Sequence, residues 1–283
     1  MPPRRHLTAR RVRLGAELRR LREATGMKAR QAAELLEADS VQMSQIESGV
    51  AGVSAERVRR LAAHYSCTDE ALVDALVLMA TDRTRGWWEE YRGHLPAPFM
   101  DLPELEHHAQ FRWDVEFLHV PGLLQTEDYT RSLVSYVNPE FPHSDVERRV
   151  EHRMKRRVII ERPNPVPYKA VIHEAALRIR VGDRPTARAQ LARILELSEA
   201  DHLTVRVIPF DLDGFGGAGS TMVYAGGPVP RLDTVVRDGP GGPVYIDTEA
   251  QLDRYRTRFR RVEAASLTPD RSRDFVHRLS KEL

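Results

Sequence analysis

The chain has 283 residues and 32.3 kDa, room for about two domains by an ordinary length prior. Its 41% hydrophobic and 30% charged residues exclude a disordered chain, and its single Cys67 excludes a disulfide framework or a cysteine-based zinc cluster. The net charge of +2 excludes a global polycation, yet residues 1–30 hold nine Arg and one Lys against two Glu, while residues 31–80 hold three basic and eight acidic groups. A basic arm leading into a balanced chain points to a polyanion at that end. No apolar run approaches membrane length and no signal-peptide core follows the first arginines, so a cytoplasmic protein in a reducing compartment is expected.

Five short helices are predicted in the first 80 residues. Leu14, Leu18 and Leu21 stripe the first, with Gly26 placed as its C-cap; Ala29, Ala32, Ala33 and Leu36 give the second a small-residue face. Asp39 is placed to N-cap the third, whose Met43 and Ile46 point inward and which Ser48-Gly49 ends. Ser54 caps a fourth around Val58, Leu61, Ala62 and Tyr65, and Leu72, Ala75, Leu76 and Met79 stripe a fifth. Only a few residues join the second helix to the third, which forces a sharp angle between them.

A second unit is expected from Thr81. Trp87, Trp88 and Tyr91 sit on a short helix ended by Pro96 and Pro98; Leu102, Leu105, Ala109 and Trp113 fit another. Val120-Pro121-Gly122 breaks the chain, Thr126 opens a helix, and residues 145–161 make a charged amphipathic one. Short β-branched or aromatic runs follow at 166–172, 203–210, 220–224, 234–236 and 244–246, interrupted by a helix at 186–197, and helices near 249–262 and 268–281 close the chain. The expected fold is therefore an all-α, five-helix domain over residues 1–80 joined to an α+β domain over 81–283 with a small, mostly antiparallel sheet.

A tight second-to-third turn behind a basic lead-in is what a helix-turn-helix DNA reader requires, because the third helix must present its N-terminal residues to base edges. Leu14 to Arg22, Gly26, Ala33 and Gln42 to Gly49 resemble the phage-repressor-like (Xre/Cro) class. That resemblance implies base reading by Ser40, Val41, Gln42, Ser44 and Gln45, with Arg22 and Glu47 as a structural ion pair. Ser40 and Gln45 suit hydrogen bonds to bases, and Val41 suits a thymine methyl. The second helix opens with Lys28 and Ala29 in place of the usual polar cap and glutamine, and the loop Val50 to Val53 lacks a basic residue. Phosphate contact is accordingly expected from Arg10, Arg11, Arg13, Lys28 and Arg30.

Gly86 to Tyr91, Leu105 to Ala109, Val120 to Tyr129, His173 to Arg178, Gln190-Leu191 and Thr204 to Phe210 resemble the actinobacterial WhiJ-like regulators. These place an Xre-type reader before a C-terminal domain of uncharacterised biochemistry. The resemblance implies an antitoxin-like transcription regulator, often encoded beside a small partner protein, whose C-terminal domain senses or binds something. Double-stranded DNA is the expected partner, a homodimer the expected state, and a small-molecule effector or a small protein encoded nearby a further partner. The alternative is a protein-binding module with DNA binding secondary.

Other chemistry finds little support. Gly214 to Gly219 matches GxGxxG, but a strand-like run follows where a dinucleotide fingerprint needs a helix N-terminus. His107 and His108 point about 100° apart on a helix and do not converge on a metal. Cys67 has no CxxC partner, and no serine sits in a GxSxG elbow. The basic residues of 148–157 interleave with Asp145, Glu147 and Glu151 as a solvated helix face or a second phosphate-binding surface. The aromatic group from Trp87 to Trp113 is core or a pocket lining. No catalysis, cofactor or metal is expected.

Overall fold

The computed structural model describes residues 7–217, 220–238 and 242–283. Residues 1–6 of the basic arm and Ala218-Gly219 of the glycine-rich loop lie outside them. The chain divides into two units: residues 1–105 with Val229–Leu232, and Glu106–Pro228 with Asp233–Leu283.

Unit 1 begins with five helices: α1 (Ala9–Ala24), α2 (Ala29–Leu35), α3 (Ser40–Glu47), α4 (Ala55–His64) and α5 (Glu70–Thr81). All but α2 start where a short polar residue supplies an acceptor for an unpaired first-turn N–H. Thr8, Asp39, Ser54 and Asp69 accept from the backbone N–H three residues on, while the Gln31 side chain accepts from the Lys28 N–H ahead of α2. The leucine, alanine and isoleucine stripes converge on one core around Leu18, Met43, Ile46, Leu61, Leu72 and Leu76. Val229 joins that core, and Arg231 pairs with the buried Glu17 at 3.0 Å. A 3-10 turn (Trp87–Tyr91) follows α5, and α6 (Pro98–His108) leads out of the unit.

Unit 2 is a single six-stranded sheet in the order β3-β2-β1-β4-β5-β6. Its strands are β1 (Phe111–Glu116), β2 (Tyr168–His173), β3 (Leu203–Ile208), β4 (Met222–Gly226), β5 (Thr234–Arg237) and β6 (Val244–Ile246). The first three are parallel because helices intervene: α7 (Glu127–Val137), α8 (His143–Lys155) and α9 (Val158–Glu161) between β1 and β2, then α10 (Glu174–Arg178) and α11 (Arg184–Leu197) before β3. The chain then crosses to the far side of β1, and β4, β5 and β6 add antiparallel. Both faces are covered, so β4 and the middle of β2 read as nearly continuous apolar runs, while β1 between them carries Arg112, Asp114 and Glu116. Tyr168, Ala170 and Ile172 pack with α7, α9, α11 and α13 (Pro269–Glu282), whereas Val115, Val171, Tyr224 and Val235 pack with α12 (Glu249–Ala265).

Four expectations are corrected. The sheet is not small and mostly antiparallel; it is six-stranded and mixed, its parallel half produced by helical crossovers that strand runs do not encode. The helix expected through Trp113 ends at His108, and Trp113 lies in β1, the strand absent from the expectation. Pro98 does not end a helix but starts α6, consistent with the tolerance of proline in a first turn. The helix of 145–161 is two, α8 and α9, separated at Arg156-Arg157.

Candidate nucleic-acid interface

Helix α3 is seated by close backbone approach and by a buried ion pair. A Cβ on Gly15 of α1 would lie 2.6 Å from the carbonyl oxygens of Ile46 and Glu47, and one on Gly49 would lie 2.6 Å from the Arg11 carbonyl oxygen. Gly49 also has φ +77°, so two separate constraints require glycine there. The Arg22 guanidinium grips Glu47 bidentately, Nε to Oε1 at 2.6 Å and Nη2 to Oε2 at 2.9 Å. Its Nη1 donates to the Met27 carbonyl oxygen at 2.6 Å, so one side chain ties the end of α1, the turn into α2 and the end of α3. That bonding raises the Arg22 pKa above its ordinary value. Glu37, at φ +53°, makes the left-handed turn between α2 and α3.

With Met43 and Ile46 buried, the opposite side of α3 is committed to solvent. Ser40, Val41, Ser44 and Gln45 are exposed, Val41 at 62%, and Gln42 is half-buried. The five expected base readers thus share one short helix whose N-terminus is capped by Asp39 accepting from Gln42 N at 2.7 Å. The expected phosphate contacts fare unequally. Lys28 and Arg30 are exposed, Arg30 being 3.3 Å from Glu34, and Arg11 is half-buried. Arg10 is half-buried beside Asp82 at 3.8 Å, and burial lowers its pKa. Arg13 is not placed at the surface: it is 6% exposed, 3.3 Å from Glu17, and donates to the Arg231 carbonyl oxygen.

Unit 2 holds polar chemistry that sequence reasoning missed. Arg112 of β1 is fully buried, donating to Asp114 from Nε and Nη2, each at 2.8 Å, and to Glu106. Asp114 also accepts from the Tyr168 hydroxyl at 2.7 Å, and Glu106 is shared with Arg156. Two arginines thus hold Glu106 below the usual carboxylate range against the opposing effect of burial. One step along β1, Glu116 stands differently. Burial, with Asp114 and Asp238 nearby, pushes its carboxyl up to about 8. Arg153 of α8 lies near it and, by burial and the neighbouring Arg156, comes down to about 10. The detectable signal was Arg112-x-Asp114-x-Glu116, three charges at strand period on one face.

Among the described residues, no group of three or more His, Cys, Asp or Glu is arranged to hold a metal ion, and no helix is long and apolar enough to cross a membrane. Residues 99–278 match the family described as Domain of unknown function (DUF5753), and residues 13–76, from α1 into α5, match the Helix-turn-helix domain family. No curated protein and no solved structure matches the chain.

Proposed function

Because the chain belongs to the DUF5753 family and carries a helix-turn-helix domain ahead of that region, we propose that it is a WhiJ-like, sequence-specific DNA-binding transcription regulator. The observation that carries this reading is the division of α3 into a buried pair, Met43 and Ile46, and an exposed polar edge seated rigidly by Gly15, Gly49 and Arg22–Glu47. In this reading Ser40 and Gln45 hydrogen-bond to base edges, Gln42 and Ser44 support them, and Val41 meets a thymine methyl. Lys28, Arg30 and Arg11 neutralise phosphates, with Arg10 behind them. Arg13 serves the core of unit 1 instead, since a buried guanidinium beside Glu17 is not available to a duplex.

A single five-helix reader makes few base contacts, so a homodimer on two half-sites about one helical turn apart is the proposed state. Unit 2 is assigned effector or partner binding rather than catalysis. Titrating the full chain against its own upstream DNA and against a scrambled duplex tests the reading. Preference for the upstream DNA that persists as salt is raised supports it; equal binding to both sequences overturns it.

A further inference from the structure

Unit 2 treats its inward-facing arginines in two ways. Arg112 and Arg156 are saturated by carboxylates. Arg153 is half-buried, uses Nη1 to donate to Gln125 Oε1 at 2.9 Å, and among the described residues makes no ion pair within 4.0 Å. Yet two carboxylates, Glu116 and Asp238, lie close enough to act on it electrostatically. Neither makes a hydrogen bond or an ion pair among the described residues. Arg153 and Glu116 are half-buried and Asp238 is exposed, so each keeps polar atoms open to a further partner.

Their placement is at the carboxyl ends of two strands. Glu116 is the last residue of β1, and Asp238 follows the last residue of β5. Asp114 and Val236 both pair with Val223 of β4, so Glu116 and Asp238, two residues further on, fall on one face and one row. At β1 the chain order reverses: β2 and β3 build outward on one side, and the connection after β3 crosses to β4 on the other. Crevices at the carboxyl ends of strands, where strand order reverses, are where open sheets bind ligands. Arg153 is also held in place. Gln125 accepts from it, accepts from Thr130 Oγ1 at 3.1 Å, and donates to the Val120 carbonyl oxygen at 2.7 Å.

We propose that Arg153, Glu116 and Asp238 form a binding site for a small zwitterion of the α-amino-acid class, its carboxylate on Arg153 and its ammonium between Glu116 and Asp238. The charges select this class. A phosphate dianion would meet the Asp238 carboxylate, and a bare metal cation would meet the guanidinium, whereas a linked carboxylate and ammonium satisfy both ends, the ammonium releasing the proton that Glu116 holds near pH 7. His119 also lies near Arg153 and Asp238; burial and Arg153 lower its pKa. The proposal rests on the assignment of effector binding to unit 2 and supplies its ligand class.

The test uses the full chain without DNA, so its failure leaves the reading of α3 untouched. Each of the common L-amino acids is added at millimolar concentration in thermal unfolding and calorimetry, with acetate plus methylammonium as the unlinked control. At least one amino acid is expected to bind and raise the melting temperature, and the control is not. Glu116→Gln, which breaks no hydrogen bond among the described residues, and Arg153→Gln should each weaken binding at least about tenfold. Binding near pH 7 should release a proton, read from two buffers of different ionisation heat, because the ammonium displaces the proton Glu116 holds; Glu116→Gln should abolish that release. No response to any amino acid, or binding that Glu116→Gln leaves unchanged, overturns the proposal.

Discussion

Arg22 in unit 1 and Arg112 in unit 2 both bind carboxylates bidentately, but they do different work. Arg22 fixes the ends of two helices against each other near the surface, with side chains 9% and 7% exposed for Arg22 and Glu47. Arg112 sits in a central strand with Glu106, Asp114 and the Tyr168 hydroxyl around it, every charge at 1% exposure. The difference teaches that depth sets the consequence of a lost partner. Near the surface water replaces part of a broken pair; in the sheet the remaining carboxylates have nowhere to turn.

The contrast is broken most severely by Arg112→Leu, which should destabilise unit 2 by about 3–5 kcal/mol in urea unfolding followed by circular dichroism. Adding Asp114→Leu should recover part of that loss, because the orphaned charge leaves with its partner. A double variant no more stable than the single one would mean that packing, not charge, dominates there. Glu47→Ala should cost unit 1 about 2 kcal/mol and weaken DNA binding by loosening α3.

A pH profile sharpens the same comparison. With its carboxyl pushed up to about 8, folded Glu116 keeps a proton that the unfolded chain has already released. Its contribution to stability is therefore fully present below the ordinary glutamate range and is lost as pH rises toward about 8. The slope is at most about 1 kcal/mol per pH unit for one half-buried proton. Glu116→Gln should remove that slope and be the more stable form at pH 8; parallel wild-type and variant profiles would contradict the assignment. The smallest effect belongs to the surface: Lys28→Ala with Arg30→Ala should leave melting unchanged and reduce the salt dependence of DNA affinity by about one unit per lost contact.

Helices α1 to α5 were legible because their apolar stripes are regular and Asp39 and Ser54 mark the starts of α3 and α4; α2 lacks a polar cap, and the start of α6 was not legible, because Pro98 opens it. Gly49 was readable as an end signal, but the close approach of Arg11 was not, since it depends on how α1 crosses α3. In unit 2 the strand runs at β2 to β6 stood out as β-branched or aromatic. β1 did not, because one of its two covered faces carries Arg112, Asp114 and the half-buried Glu116, which interrupts an apolar strand run, while Leu102, Leu105, Ala109 and Trp113 imitate a helical stripe. Parallel pairing was illegible for a related reason: a strand's residues show that it is buried on both faces, not which way its neighbour runs. Arg13 shows the limit of charge counting, which groups it with the basic arm although Glu17 stands four residues on along α1, the spacing of a helical ion pair.

The central claim is that the exposed edge of α3 reads base sequence. Titrating cognate and scrambled DNA with the wild type, Ser40→Ala and Gln45→Ala at matched salt tests it most directly. Each variant should lose about 1–3 kcal/mol on the cognate site, with melting and scrambled-DNA affinity unchanged. Cognate affinity retained by both variants would contradict the account and assign sequence reading to another surface.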